Sequence, residues 1–354
     1  MNAPAKRLRV LLVGLGSVGQ RHARNLRLLF GDEVELNAFR TRRSPAVVSG
    51  GMRLENGVDV EAQLGLRVFS NLEEALAERP DVAVIANPTS LHLASARTAA
   101  EAGCHLFIEK PLSHSMDGLP EFVEFVESKG LVTVIGYQWR FHPLMNRVRD
   151  ALAEGVLGRV VSVLAEFGEW LPGWHPYEDY RQSYAARREL GGGVLLTQIH
   201  DFDYLGWLFG WPRRLFCSGG KLSDLEIDVE DTANSLLECQ WDGRLLPIHV
   251  HQDFLQRPPV RGCRILGING VIELDLAASV YRRTDAAGTE VERVEFETYD
   301  RNDMFLDAMR HFIACVTDGE TSKISAREGA KSLCVAHSAL ESLRTARVVE
   351  LPLL

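Results

Sequence analysis

Cysteine is scarce and scattered. Cys104, Cys217, Cys239, Cys263, Cys315 and Cys334 form no C-x-x-C pair and show no histidine spacing that suggests zinc. A disulfide scaffold is excluded, and the thiols read as small buried hydrophobes of a reducing compartment. Long apolar runs are missing too: no stretch approaches the ~18 residues of a membrane span. The opening residues Met1 to Arg7 lead only into Val10 to Val13 before Gly14, too short a run for a secretory leader. The expectation is a soluble, cytoplasmic protein with no membrane partner. An excess of positive charge is also absent. Lys and Arg number 39 against 48 Asp and Glu, for a net charge of -9. Nucleic-acid affinity rests on clustered cations, so a nucleic-acid partner is not expected and a small molecule fits better. No internal repeat and no low-complexity linker is visible.

What is present is the composition of a globular chain, 46% hydrophobic and 25% charged over 354 residues. Single cores stop growing near ~250 residues, so two domains are expected. From Leu8 to about Gln138, short β-rich runs (8–13, 34–39, 66–69, 82–86, 105–108 and 131–136) alternate with amphipathic stretches such as 18–30, 72–78, 91–102 and 118–129. Such alternation predicts parallel strands joined by helical crossovers, an α/β Rossmann doubly wound sheet. After Tyr137 the texture changes to a helix-like stretch at 143–154 and a strand-like one at 160–167. An aromatic and basic segment, 170–188, is followed by a helix from about Gly193 to Phe209 and then by strands separated by turns to about Glu297. That pattern predicts a C-terminal α+β domain on a mostly antiparallel open sheet, whose far side pairs subunits into a dimer or tetramer. The domains are set at 1–138 and 139–354, with the helical tail, 303–316 and 326–347, free to return to either.

Gly14-Leu15-Gly16-Ser17-Val18-Gly19 follows an apolar strand and opens a helical pattern, the context in which G-x-G-x-x-G binds a dinucleotide. The first glycine turns tightly, the second admits the pyrophosphate, and the third lets helix and strand pack. About 20 residues on, an acidic residue ordinarily takes the ribose hydroxyls. Arg40-Thr41-Arg42-Arg43 stands there instead. Guanidinium groups fork onto a 2′-phosphate where a carboxylate would repel it, so NADP(H) is expected over NAD(H). The fourth strand ends in Asn87-Pro88-Thr89-Ser90, at the carboxyl edge where such sheets bind ligands. Asn87 and Thr89 are therefore cofactor candidates. His92 is either a third or a packing histidine.

The fifth strand ends in Glu109-Lys110-Pro111. A Rossmann fingerprint, N-P-T-x-x-H, E-K-P, and a Gly191-Gly192-Gly193 triplet followed by H-x-x-D together resemble the Gfo/Idh/MocA oxidoreductases over nearly the full length. The resemblance implies an enzyme that moves a hydride between nicotinamide C4 and a carbinol or ketone of a sugar derivative. It places Lys110, with Glu109 before it, beside the nicotinamide, where the lysine hydrogen-bonds the substrate oxygen. It also makes Gln138 a cofactor candidate, while Arg140 reads as an interdomain salt-bridge residue. A base for the hydroxyl proton is needed, and His200 is the candidate. On one helix face, Thr197, His200 and Tyr204 would reach a ligand, with Leu195, Ile199, Phe202 and Phe209 as the core stripe.

The family's common D-x-G-x-H is absent, because Leu196-Thr197-Gln198-Ile199-His200 carries no aspartate. Three readings stay open: Asp201 or Asp203 substitutes, His200 binds substrate while Lys110 handles the proton, or the enzyme works mainly as a reductase. A catalytically impaired dinucleotide sensor of the same fold is the alternative function. For the substrate, Trp170, Tyr180, Arg181, Tyr184 and Arg188 offer ring faces and anion forks, which points to a sugar acid or nucleotide-linked sugar. Tyr177, Tyr180, Tyr184 and Arg188 also recur at helical spacing. The stretch 179–191 is similar to family members of bacterial surface-polysaccharide and sialic-acid-like sugar pathways.

Overall fold

The computed structural model describes residues 7–41, 47–48, 54–55, 59–175 and 177–352. The chain divides into two compact units, one of residues 1–137 with 302–329 and one of 138–301 with 330–354.

The first unit begins with β1 (Leu8–Val13), α1 (Ser17–Phe30) and β2 (Val34–Phe39), followed by a small hairpin of β3 (Val47–Val48) and β4 (Leu54–Glu55). It continues through α2 (Val60–Leu64), β5 (Arg67–Phe69), α3 (Leu72–Ala77), β6 (Val82–Ile85), α4 (His92–Glu101), β7 (His105–Ile108), α5 (Leu119–Ser128) and β8 (Thr133–Ile135). The six-stranded sheet runs β5-β2-β1-β6-β7-β8, parallel throughout. Its central strands are apolar on both faces because helices cover both: Val10 to Val13 and Val82 to Ile85 are fully buried. The order reverses at β1, so β2 and β6 flank it and a crevice opens at their carboxyl ends.

The second unit holds α6 (Pro143–Ala153), β9 (Val160–Gly168), α7 (Val194–Thr197), α8 (His200–Phe209), β10 (Arg214–Gly220), β11 (Thr232–Trp241) and β12 (Arg244–Asp253). Then come β13 (Val260–Gly267), β14 (Gly270–Asp275), β15 (Val280–Asp285) and β16 (Glu290–Glu295). After them, α9 (Asn302–Thr317) belongs to the first unit, α10 (Ala326–Thr345) is divided at Gly329, and β17 (Val349–Glu350) closes the second. The nine-stranded sheet runs β16-β15-β14-β13-β9-β12-β11-β10-β17. It is antiparallel except where β12 meets β9. Strand alternation is visible in β11, where Ala233, Ser235, Leu237 and Cys239 are buried while Leu236 and Glu238 between them are not.

Two local expectations are corrected. The single helix over 193–209 is two helices, because Gln198 leaves helical geometry, with φ −99° and ψ 25°, and its side-chain amide donates to the Asp253 carbonyl at 2.9 Å. The helical spacing in 170–188 is not a helix either. The segment is a chain of three-residue 3-10 turns at 171–173, 180–182, 184–186 and 188–190, and the tyrosines therefore share no stripe.

All six cysteines are free and buried. Among the described residues, no helix is long and apolar enough to cross a membrane.

Candidate active site

In the first unit, the turn from β1 to α1 tests each glycine of the fingerprint. Gly14 has a φ of 100°, and a Cβ on it would stand 2.8 Å from the Ala86 carbonyl oxygen. On Gly19 a Cβ would meet the Gly14 oxygen at 2.2 Å, so the helix is seated on the strand by having no side chain there. Gly16 differs, since a Cβ there meets nothing within 4 Å. That open face lies at the start of α1, whose first turn has no side-chain cap and no acidic residue. The positive end of the helix dipole there suits a diphosphate. Ser17 and Val18 lie in that first turn.

Across the carboxyl edge, Asn87 gives its side-chain amide to the Ser95 hydroxyl at 2.8 Å. Its Oδ1 is buried with no partner among the described residues, which fits an edge built for a further ligand. Thr89 is buried in the 3-10 turn that follows. His92 is the packing histidine. Its ring joins two loops, Nδ1 to the Pro111 carbonyl at 2.7 Å and Nε2 to the Asn87 carbonyl at 2.8 Å. Burial lowers its pKa while the two carbonyls pull it back up.

The cofactor expectation for Glu109 is revised, because its carboxylate faces inward. Oε1 bonds Nε2 of His22 on α1 at 2.7 Å, and Oε2 accepts the Lys110 N–H at 3.2 Å. Burial pushes its pKa up, but His22, Lys110 and His92 outweigh burial and hold it below the usual range. Glu109 thus fixes the backbone of Lys110, which is half-buried after β7 and joined to Pro111 by a cis peptide bond. Arg40, at the end of β2, is paired with Glu61 on α2. Thr41 is exposed, and Arg42 and Arg43 lie outside the described residues.

In the second unit, His200 is the first residue of α8 and is buried. The expected division of this helix into a ligand face and a core face is not found, because Asp201, Phe202, Asp203, Tyr204 and Leu205 are all buried with it. The Thr197 hydroxyl turns back to the Gly193 carbonyl. Asp203 is bound to Arg140. Its oxygens accept both forks of Arg140, at 2.7 and 2.9 Å, and the Ser332 hydroxyl at 3.2 Å. The Arg140 pair therefore closes inside the second unit. Asp201 accepts the Gln252 amide at 3.2 Å, and burial raises its pKa to about 6, with Arg261 and Tyr204 opposing the rise. Tyr204 faces this carboxylate, and burial raises its pKa well above the ordinary value. Gln138 is buried with its Oε1 unpartnered among the described residues.

The expected anion readers are engaged elsewhere. Arg181 forks onto Asp179 and reaches Glu226 at 3.1 Å. Arg188 donates to the Asp228 carbonyl at 2.8 Å. Trp170 carries the Arg257 guanidinium on its ring at 3.9 Å. Tyr180 and Tyr184 line a recess with Trp174 and Ser183, and the Tyr180 hydroxyl accepts the Glu226 N–H at 3.2 Å.

Two features escaped the sequence reading. His22 falls with Gly19, Ala23 and Leu26 on the buried stripe of α1, so a polar residue in that apolar register was its one signal. His311, Cys315 and Glu320 bring their ligand atoms within 4.8 Å of one another. There, however, Nε2 of His311 accepts the Lys323 N–H at 3.0 Å, so that nitrogen is already used.

Comparison with known proteins agrees with this geometry. Residues 8–137 match the profile described as "Oxidoreductase family, NAD-binding Rossmann fold", and 145–273 match the GFO/IDH/MocA C-terminal domain. Myo-inositol 2-dehydrogenase of Thermotoga maritima is 26% identical over 97% of this chain and 98% of its own length. D-xylose 1-dehydrogenase (NADP(+)) 2 of Haloferax volcanii is 27% identical over 82% of this chain and 87% of its own. The WlbA dehydrogenase of Bordetella pertussis, solved with NADH and UDP-GlcNAcA, superposes with a TM-score of 0.77 over 98% of this chain and 99% of its own, at 24% identity. With both domain profiles matched in order and a dinucleotide-binding edge in place, the chain belongs to the Gfo/Idh/MocA family of oxidoreductases.

Proposed function

We propose that the chain oxidises or reduces a CH–OH group of a sugar derivative, a sugar acid or a nucleotide-linked sugar, with a nicotinamide dinucleotide. The observation that carries the reading is Lys110. It stands at the carboxyl end of β7, two strands from the glycine turn in the order β1-β6-β7, with its backbone held by the buried Glu109. In this proposal α1 receives the diphosphate at Ser17 and Val18, Asn87 and Thr89 line the edge, and Gln138 meets the nicotinamide amide. The bound nicotinamide supplies the hydride donor or acceptor. Lys110 hydrogen-bonds the substrate oxygen and stabilises its charge, and His200 exchanges the hydroxyl proton. The names of the relatives, inositol and xylose dehydrogenases and a UDP-sugar complex, support the substrate class.

NADP(H) is the proposed form, because Arg40 follows β2 where an acid would exclude the 2′-phosphate. Glu61 competes for Arg40, so the phosphate has to share that guanidinium. The six buried, unpaired thiols suit the cytoplasm. A dinucleotide sensor remains the second reading, on the observation that Leu196-Thr197-Gln198-Ile199-His200 carries no aspartate before the histidine.

The test is nicotinamide absorbance with a panel of neutral sugars, sugar acids and nucleotide sugars. Lys110→Met is expected to lower turnover by about 100-fold or more while dinucleotide affinity stays within about twofold. Unchanged turnover removes Lys110 from the chemistry, and cofactor binding without turnover of any sugar favours the sensor. Arg40→Glu is expected to weaken NADPH about tenfold more than NADH; equal losses remove the phosphate reading.

A further inference from the structure

The second unit holds a guanidinium that no carboxylate engages among the described residues. Arg261, the second residue of β13, stands opposite Phe167 of β9 in antiparallel register. Alternation puts it on the face of Cys263 and Ile265, both buried, so a cation projects from the core side near the start of the strand. Its planar group is stacked, with Cζ 3.4 Å from the centre of the Phe167 ring and 4.9 Å from that of Trp139. Among the described residues, no hydrogen bond or ion pair engages its N–H groups. By contrast, Arg140, Arg147 and Arg181 each fork onto a carboxylate.

Arg261 is half-buried, so the edge of its guanidinium is open to a ligand. Burial, with Arg301 beside it, pulls the pKa down to about 10, although Asp201, Glu169 and Tyr204 act in the opposite direction. A second donor lies nearby, for the Trp139 indole N–H is buried with no partner among the described residues. Stacking covers the faces of the guanidinium and leaves its edge, the part that reads carboxylate or phosphate bidentately.

We propose that the edge of Arg261, with Arg301 beside it, is the subsite for an oxyanion carried by the substrate. That oxyanion is either a carboxylate on the sugar ring or a phosphate of a nucleotide carrier. The proposal rests on the sugar-oxidoreductase reading, and it moves anion recognition from Arg181 and Arg188 to residues whose donors no carboxylate engages among the described residues.

The test is calorimetric titration of NADH-saturated protein with D-glucuronate, UDP-glucose and D-glucose. The wild type is expected to bind at least one anionic probe about tenfold or more tightly than glucose. Preference for glucuronate assigns a ring carboxylate, and preference for UDP-glucose assigns the diphosphate. Arg261→Met keeps the apolar stacking and is expected to lose that preference, with glucose and NADH affinity unchanged. No anionic preference in the wild type, or a preference retained in Arg261→Met, overturns the subsite. Should Arg261→Met fail to fold, Arg261→Lys decides, because it keeps the charge and loses the fork. About tenfold weaker binding of the anionic probe alone supports the subsite, and unchanged affinity overturns it. Turnover of sugars without anionic preference leaves the oxidoreductase reading standing and removes the subsite. Arg261-dependent anion binding without turnover does the reverse.

Discussion

Gly16 and Gly19 are separated by three positions and governed by different forces. Gly19 is a packing residue: its missing Cβ is what lets α1 approach the Gly14 carbonyl. Gly19→Ala is expected to cost about 1–3 kcal/mol, read as a lower denaturation midpoint without ligand. Gly16 faces open space, so Gly16→Ala is expected to leave that midpoint within about 1 kcal/mol and to weaken the dinucleotide about tenfold. Equal stability losses in the two variants would show that both glycines serve packing. The fingerprint was legible because its spacing encodes local geometry. The partners of charged side chains were not. Arg181 and Arg188 sit in an aromatic stretch that suits a ligand, yet Glu226 and Asp228, some 40 residues away in sequence, engage them. Glu109 was legible as part of a motif, but its inward turn toward His22 depends on a helix 87 residues upstream.

At the scale of elements, the break between α7 and α8 decides where His200 stands. Apolar spacing at 195, 199, 202 and 209 runs through the break, so periodicity alone describes one continuous helix. Tertiary hydrogen bonds override it: Gln252 donates to the Gln198 carbonyl at 2.8 Å and to Asp201 at 3.2 Å, fixing both sides of the interruption to the end of β12. The same burial raises the Asp201 pKa to about 6. Its unfolded value is about 3.9, so the native state holds more proton than the unfolded chain between those values, and stability falls as pH rises through that window. The loss is on the order of 2–3 kcal/mol by pH 7. Asp201→Asn is expected to flatten this slope in denaturant titrations at pH 4 and pH 7. A slope equal to that of the wild type would mean that Asp201 ionises freely in the folded protein.

At the scale of the molecule, the nine-stranded sheet carries an apolar row on its outer face. Phe216 pairs with Leu236, Leu236 with His249, and His249 with Leu164. Phe216, Leu236 and Leu164 are 39%, 47% and 43% exposed, too much apolar surface in one row for scattered chance. We propose this face as the contact between copies of the chain, in a dimer or tetramer. Leu236→Glu combined with Leu164→Glu is expected to yield monomers by light scattering, with dinucleotide binding retained. An unchanged oligomer places the contact elsewhere, and a monomeric wild type removes it.

The sequence by itself determined the six strands of the parallel sheet and most of the helices between them, the dinucleotide turn, the lysine at the end of β7 and the change of architecture after Tyr137. Each of these is written in a local period or a short motif, where neighbours in the chain are neighbours in space. Tertiary structure alone decided the rest: that Glu109 turns to His22, that Asp203 turns to Arg140, that α7 and α8 part at Gln198, and that Arg261 stands stacked with donors no carboxylate engages among the described residues. Those outcomes depend on which distant group reaches a buried charge or amide first. A polar atom removed from water takes whatever partner the fold brings, and the chain order does not record which one that is.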